Sequence, residues 1–135
     1  MRYITGIHAL NLNCSLETCG DWHQLALAWK NVTFGESEDS VFGDWGVERD
    51  RDVPFIDENQ KWNVANHIRA ALDLIDRGDF ANAGGMNKDF ICNDKYDTVI
   101  FDKVALLRSN SNWAKIDKFM EKEYRMKWIR YKNLQ

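Results

Sequence analysis

Trp62-Asn-Val-Ala-Asn-His-Ile-Arg-Ala-Ala-Leu-Asp-Leu-Ile-Asp-Arg-Gly78 divides the chain into two kinds of sequence. Within it Val64/Ala65, Ile68, Ala71/Leu72 and Ile75 recur every three to four residues, the spacing that puts apolar side chains on one helix face. Gly78 supplies the stop. His67 and Arg69 lie among these alanines and leucines and read as residues of the helix surface. The chain beyond continues in the same manner. Asp79 to Ala83 reads as a short helix, interrupted by Gly84-Gly85. Asn93 or Asp94 caps a further segment with Tyr96, Val99/Ile100, Lys103 and Leu106/Leu107 on one side, and Ser109 to Asn112 breaks it. The last helix carries Trp113, Ile116, Phe119/Met120, Glu123/Tyr124, Lys127/Trp128 and Tyr131.

Before Trp62 the pattern differs. Arg2 to Leu12 opens with β-branched and aromatic residues and reads as a strand, with Gly6 as a bulge. Thr18 with Asp21 three residues on resembles a helix-start box and predicts a short helix through Trp22, Leu25, Ala26 and Trp29. Asn31-Val-Thr-Phe34 reads as a second strand ended by Gly35. Residues 36–58 follow no single period, so short strands within a long loop are expected, with the aromatics pinning it to the body. The whole predicts one α+β domain over residues 1–135: a small N-terminal β part with a short helix, then a helical C-terminal half.

A chain of 135 residues is long enough to bury a core without disulfide staples. An aromatic content of 13% excludes a disordered segment. No apolar run approaches the length of a membrane span, so no membrane partner is expected. Met1-Arg-Tyr-Ile-Thr-Gly6 lacks the apolar core and cleavage site of a secretory leader. Three cysteines leave one unpaired if a bridge forms. Together these predict a cytoplasmic protein with reduced thiols.

The net charge of −3 is unevenly placed. Residues 36–58 hold nine acids against Arg49 and Arg51, whereas residues 113–135 hold seven bases against Asp117, Glu121 and Glu123. Such asymmetry steers partners while the whole stays nearly neutral. In the acidic segment, Glu36, Glu38, Asp39 and Asp44 surround Phe42 and Trp45, a composition suited to docking on a basic protein. The plain alternative is a solvated loop. In the last helix, Lys118, Lys122, Arg125 and Arg130 alternate with Tyr124, Trp128 and Tyr131, the composition that grips phosphates and stacks bases. Those aromatics also fall on the apolar stripe, where core packing is the default explanation. The same bases have a second use, pairing with the acidic segment of this chain or of a second copy in a homo-oligomer.

Cys14-Ser-Leu-Glu-Thr-Cys19-Gly-Asp-Trp-His23 concentrates thiols and imidazole. Read as a zinc site, it offers Cys14, Cys19 and His23, with Cys92 or His8 as fourth ligand; the C-x4-C-x3-H spacing is not that of a zinc knuckle. Read as a catalytic site, Cys19 at a helix N-terminus is the nucleophile, His23 or His8 takes its proton, and Asp21 orients the histidine. Read plainly, the cysteines are small core residues. A Cys14–Cys19 bridge fits the spacing but not a reducing compartment. No Gly-rich phosphate loop, G-x-S-x-G or H-E-x-x-H accompanies the cluster. The expectation is a non-enzymatic interaction module with no cofactor, such as a small inhibitor, antitoxin or accessory protein whose partner is another protein. A small zinc protein, a nucleic-acid binder and a Cys/His enzyme are the alternatives.

Overall fold

Four short strands and six helices organise residues 1–135 in the computed structural model. The strands are β1 (Arg2–Ile4), β2 (Phe34–Glu36), β3 (Val47–Arg51) and β4 (Trp62–Ala65). The helices are α1 (Gly6–Leu10), α2 (His67–Asp76), α3 (Phe80–Ala83), α4 (Asp97–Ala105), α5 (Trp113–Tyr124) and α6 (Met126–Asn133). The strands form one mixed sheet in the order β2-β1-β4-β3. Strand β1 runs antiparallel to β2, with Tyr3 opposite Gly35, and parallel to β4, with Ile4 opposite Val64. Strand β3 runs antiparallel to β4. With the sheet in the N-terminal half and helices in the C-terminal half, the architecture is α+β, as the sequence predicts. No helix is long and apolar enough to cross a membrane.

Helix α2 is the centre of the packing. Its residues from His67 to Ile75 are all buried, which fits a helix covered on every side by neighbours. Ile68, Leu72 and Ile75 join Ile4 and Val64 of the sheet and Ile100, Ile116 and Trp128 of the C-terminal helices in one continuous core. Full burial of an aliphatic side chain of this size stabilises by about 1.5–3 kcal/mol. The helix begins later than its periodicity suggests. Trp62–Ala65 is strand, and Asn66 caps α2 by accepting a hydrogen bond from the Arg69 amide. Val64 and Ala65 are apolar because the sheet buries them, so their spacing imitates a helix turn.

Four further expectations are corrected. The strand read over Arg2 to Leu12 stops at Ile4, and α1 follows, because Gly6 at φ +64° turns the chain and lets Ala9 and Leu10 pack beneath α2. The helix read from Thr18 does not form. The amides of Cys19 and Gly20 both donate to the Phe90 carbonyl, at 3.1 and 3.0 Å, and Trp22 adopts φ +59°. Only two 3-10 turns, Gln24–Ala26 and Trp29–Asn31, remain there. The strand read over Asn31–Phe34 lies a few residues later, at Phe34–Glu36. At the other end, Arg125 at φ +55° splits the long last helix into α5 and α6.

Candidate reactive-thiol site

The four residues proposed as zinc ligands part company in the structure. Cys19 and Cys92 are joined in a disulfide, with Cα atoms 6.0 Å apart. His23 is exposed and its Nδ1 lies 3.0 Å from Asp21 Oδ1. His8 is buried elsewhere, with Nε2 3.2 Å from the Ala28 carbonyl and its ring edge against Trp29. No group of three or more His, Cys, Asp or Glu side chains converges as a metal site would require. The Cys19–His23 nucleophile pair is likewise not assembled, because Cys19 carries no thiol. The expectation of wholly reduced thiols is corrected too. The bridge joins segments 73 residues apart, a pairing that no local spacing announces.

Cys14 is the one free thiol, half-buried in the loop after α1. That loop is held from two sides. The Ser15 amide and hydroxyl donate to Glu48 on β3 at 2.8 and 2.7 Å. The Glu17 amide donates to the Tyr96 hydroxyl, and Asn93 donates to the Glu17 carbonyl. The Cys14 Sγ lies 3.5 Å from Thr18 Oγ1, which lies 2.6 Å from His67 Nδ1. His67 Nε2 is 2.6 Å from the Leu12 carbonyl, so Nε2 carries a hydrogen and donates it. That bond selects the tautomer and leaves Nδ1 facing Thr18 and Cys14. His67, read from the sequence as a solvated helix residue, is 4% exposed and sits at the first turn of α2.

The electrostatics of this corner favour a thiolate. Burial pushes the Cys14 thiol up, but hydrogen bonds from the His67 side chain, from Thr18 and from the His67 backbone outweigh it and bring the thiol down to about 7. The imidazole responds in kind. Burial pushes it down, while the Cys14 hydrogen bond, the Leu12 carbonyl and the negative charges of Cys14 and Glu48 together raise it above its ordinary value. Chemically, the arrangement lets the Cys14 proton pass through the Thr18 hydroxyl to Nδ1, leaving a thiolate beside an imidazolium. Gly20 is required here. A Cβ at that position would lie 3.0 Å from His67 Cε1 and 3.3 Å from the Leu10 carbonyl, and the residue adopts φ +78°.

The other sequence-derived sites meet different ends. Phe42 is 5% exposed in the core, and Trp45 is half-buried beneath the Lys103 ammonium, so these rings anchor the acidic segment to its own chain. Glu36 and Asp39 border a cleft of about 340 Å³ with Asp73 and Asp76. Glu38 pairs with the Met1 amine, and Asp44 pairs with Arg49. Tyr124 and Trp128 are buried, 3% and 0% exposed, and offer no face for stacking a base. Lys118, Lys122, Arg125 and Arg130 are exposed, and none forms a salt bridge with the acidic segment. Comparison of the chain with protein-family models, curated proteins and solved structures finds no match.

Proposed function

We propose that this chain is a non-enzymatic, redox-responsive interaction module whose reactive group is the Cys14 thiolate and whose partner is another protein. The observation that carries the reading is the Cys14–Thr18–His67 hydrogen-bonded line, with the tautomer of His67 held by the Leu12 carbonyl. It stands one residue from an exposed disulfide, since Thr18 precedes Cys19 and both bridged cysteines are exposed. Exposed disulfides exchange more readily than those shielded in a core. Cys14 borders none of the five main clefts, which suits a partner met at the surface better than an enclosed small substrate. The exposed carboxylates of Glu38, Asp39 and Asp44 favour a basic partner.

The chemistry is thiol–disulfide exchange. The Cys14 thiolate attacks one sulfur of a partner's disulfide, a Cys14–partner S–S bond forms, and the partner's second sulfur leaves as a thiolate. That thiolate takes a proton from the His67 imidazolium, so charge and electrons balance without another reagent.

Alkylation with iodoacetamide across pH, followed by peptide mass spectrometry without reductant, tests the reading. The thiolate is the reacting form, so the Cys14 rate is low at about pH 6, rises through pH 7 and levels off by about pH 8.5. The charged group facing Cys14 is His67 on α2, on which Glu48 of β3 acts in turn, so the profile follows the thiol–imidazole pair. In His67→Asn the midpoint moves up by about one to two pH units, toward the ordinary thiol value, and the rate at pH 7 falls several-fold. Thr18→Val gives a smaller shift in the same direction. A wild-type midpoint near 8.5, unchanged in both variants, sinks the proposal.

A further inference from the structure

The junction of α5 and α6 carries an arrangement that the thiol site does not use. One residue separates the two helices. It is Arg125, at φ +55° and ψ −128°, a region that side-chain-bearing residues seldom occupy. Glycine would make the same break without strain, so the guanidinium calls for its own explanation. Arg125 borders two clefts, one of about 550 Å³ with Lys118, Lys122 and Met126, the other of about 350 Å³ with Lys88, Lys122 and Lys127.

Counter-charge around these bases is limited. Lys88, Lys118, Lys122 and Arg125 form no salt bridge, and only Lys127 is paired, with Asp97. Glu123 is occupied, accepting from the amides of Gly85 and Asn87 at 3.2 and 3.3 Å. Glu121 and Asp89 are the other acids bordering the clefts, and no residue of the acidic segment 36–58 reaches either.

We propose that the two clefts form one continuous site for the phosphodiester backbone of nucleic acid, with Lys122 and Arg125 shared between neighbouring phosphates. Two clefts that share Lys122 and Arg125 suit a chain of phosphates better than a single one. The burial of Tyr124 and Trp128 removes base stacking, so contacts are to the backbone and binding is indifferent to sequence. The acidic segment lowers the long-range attraction, and salt near 0.1 M screens that effect beyond about 10 Å.

The test is fluorescence polarisation with labelled 20-nucleotide single-stranded DNA, RNA and duplex DNA, on the full chain at low salt. Three to four phosphate contacts give a slope of log affinity against log salt of about −2 to −3 for single strands. Lys122→Gln weakens binding several-fold. Arg125→Gly keeps the backbone turn and removes the guanidinium, so affinity falls about tenfold while thermal stability holds or rises. No binding at 50 mM salt overturns the proposal, as does wild-type affinity in both variants. Loss of affinity with a matching loss of stability in Arg125→Gly also overturns it, by showing that the arginine serves the fold.

Discussion

Replacing Arg69 by methionine lowers the free energy of unfolding by about 3–5 kcal/mol, the usual cost of breaking a buried ion pair by removing one partner. Arg69 is 0% exposed and Asp73, one helical turn on, is 3% exposed. The guanidinium is fully engaged. Its Nε donates to Asp73 at 3.0 Å, one terminal nitrogen donates to the Gly43 and Trp45 carbonyls, and the other donates to the Tyr3 hydroxyl at 2.8 Å. Asp73 accepts also from Tyr3 and Thr5, at 2.7 and 2.6 Å. One residue of α2 thus ties β1 and the acidic segment to the helix. Methionine fills much of the volume but leaves the Asp73 charge without a cation and two loop carbonyls without a donor. Arg69→Met/Asp73→Leu recovers part of the loss, because it removes the stranded charge. Urea denaturation reads both variants, and a loss below about 1 kcal/mol in Arg69→Met would falsify this account. Gly46 belongs to the same contact. Its Cβ would lie 2.8 Å from Arg69 Cβ, and its φ is +78°.

Reducing the Cys19–Cys92 bond, or replacing both cysteines by serine, costs about 4 kcal/mol. The figure follows from the chain entropy regained when a loop of 73 residues is opened. That loop contains β2 to β4 and α2, so its release acts on most of the core-forming sequence. The bond is exposed and little packing is lost with it, which leaves the constraint on the unfolded chain as the main term. A second effect separates this from a purely structural staple. Cys19 neighbours Thr18, so opening the bond loosens the Thr18 hydroxyl from His67 and moves the Cys14 alkylation midpoint upward. Urea denaturation with and without reductant measures the first effect, and alkylation profiling of the double serine variant measures the second. Alkylation of Cys19 or Cys92 in the untreated protein, or equal stability of the reduced and oxidised forms, rejects the prediction.

The parts legible beforehand share a physical basis. Helices α4 and α5 announce themselves because each buries one stripe, and α2, though buried on every side, because its largest apolar residues still recur at helical spacing, a local property. The region before Trp62 is read less well, since its backbone bonds go to distant partners: Cys19 and Gly20 to Phe90, Asp21 to Leu10. A capping signal at Thr18 loses to a bond with His67, 49 residues away. His67 itself left one clue, an Asn before it that is able to cap a helix, which puts the histidine in the first turn of α2. Nothing in sequence marks that Thr18 and Cys14 return to meet it.

By itself, then, the sequence determined the α+β class, the helical second half, the stop at Gly78 and the separation of acidic from basic charge. Each of these depends on neighbours a few residues apart. Tertiary structure alone decided that Cys19 bonds Cys92, that Cys14 faces His67, that Arg69 is buried with Asp73, and that Arg125 breaks the last helix. Those outcomes depend on which distant segments share the space around α2, and residue spacing carries no measure of that proximity.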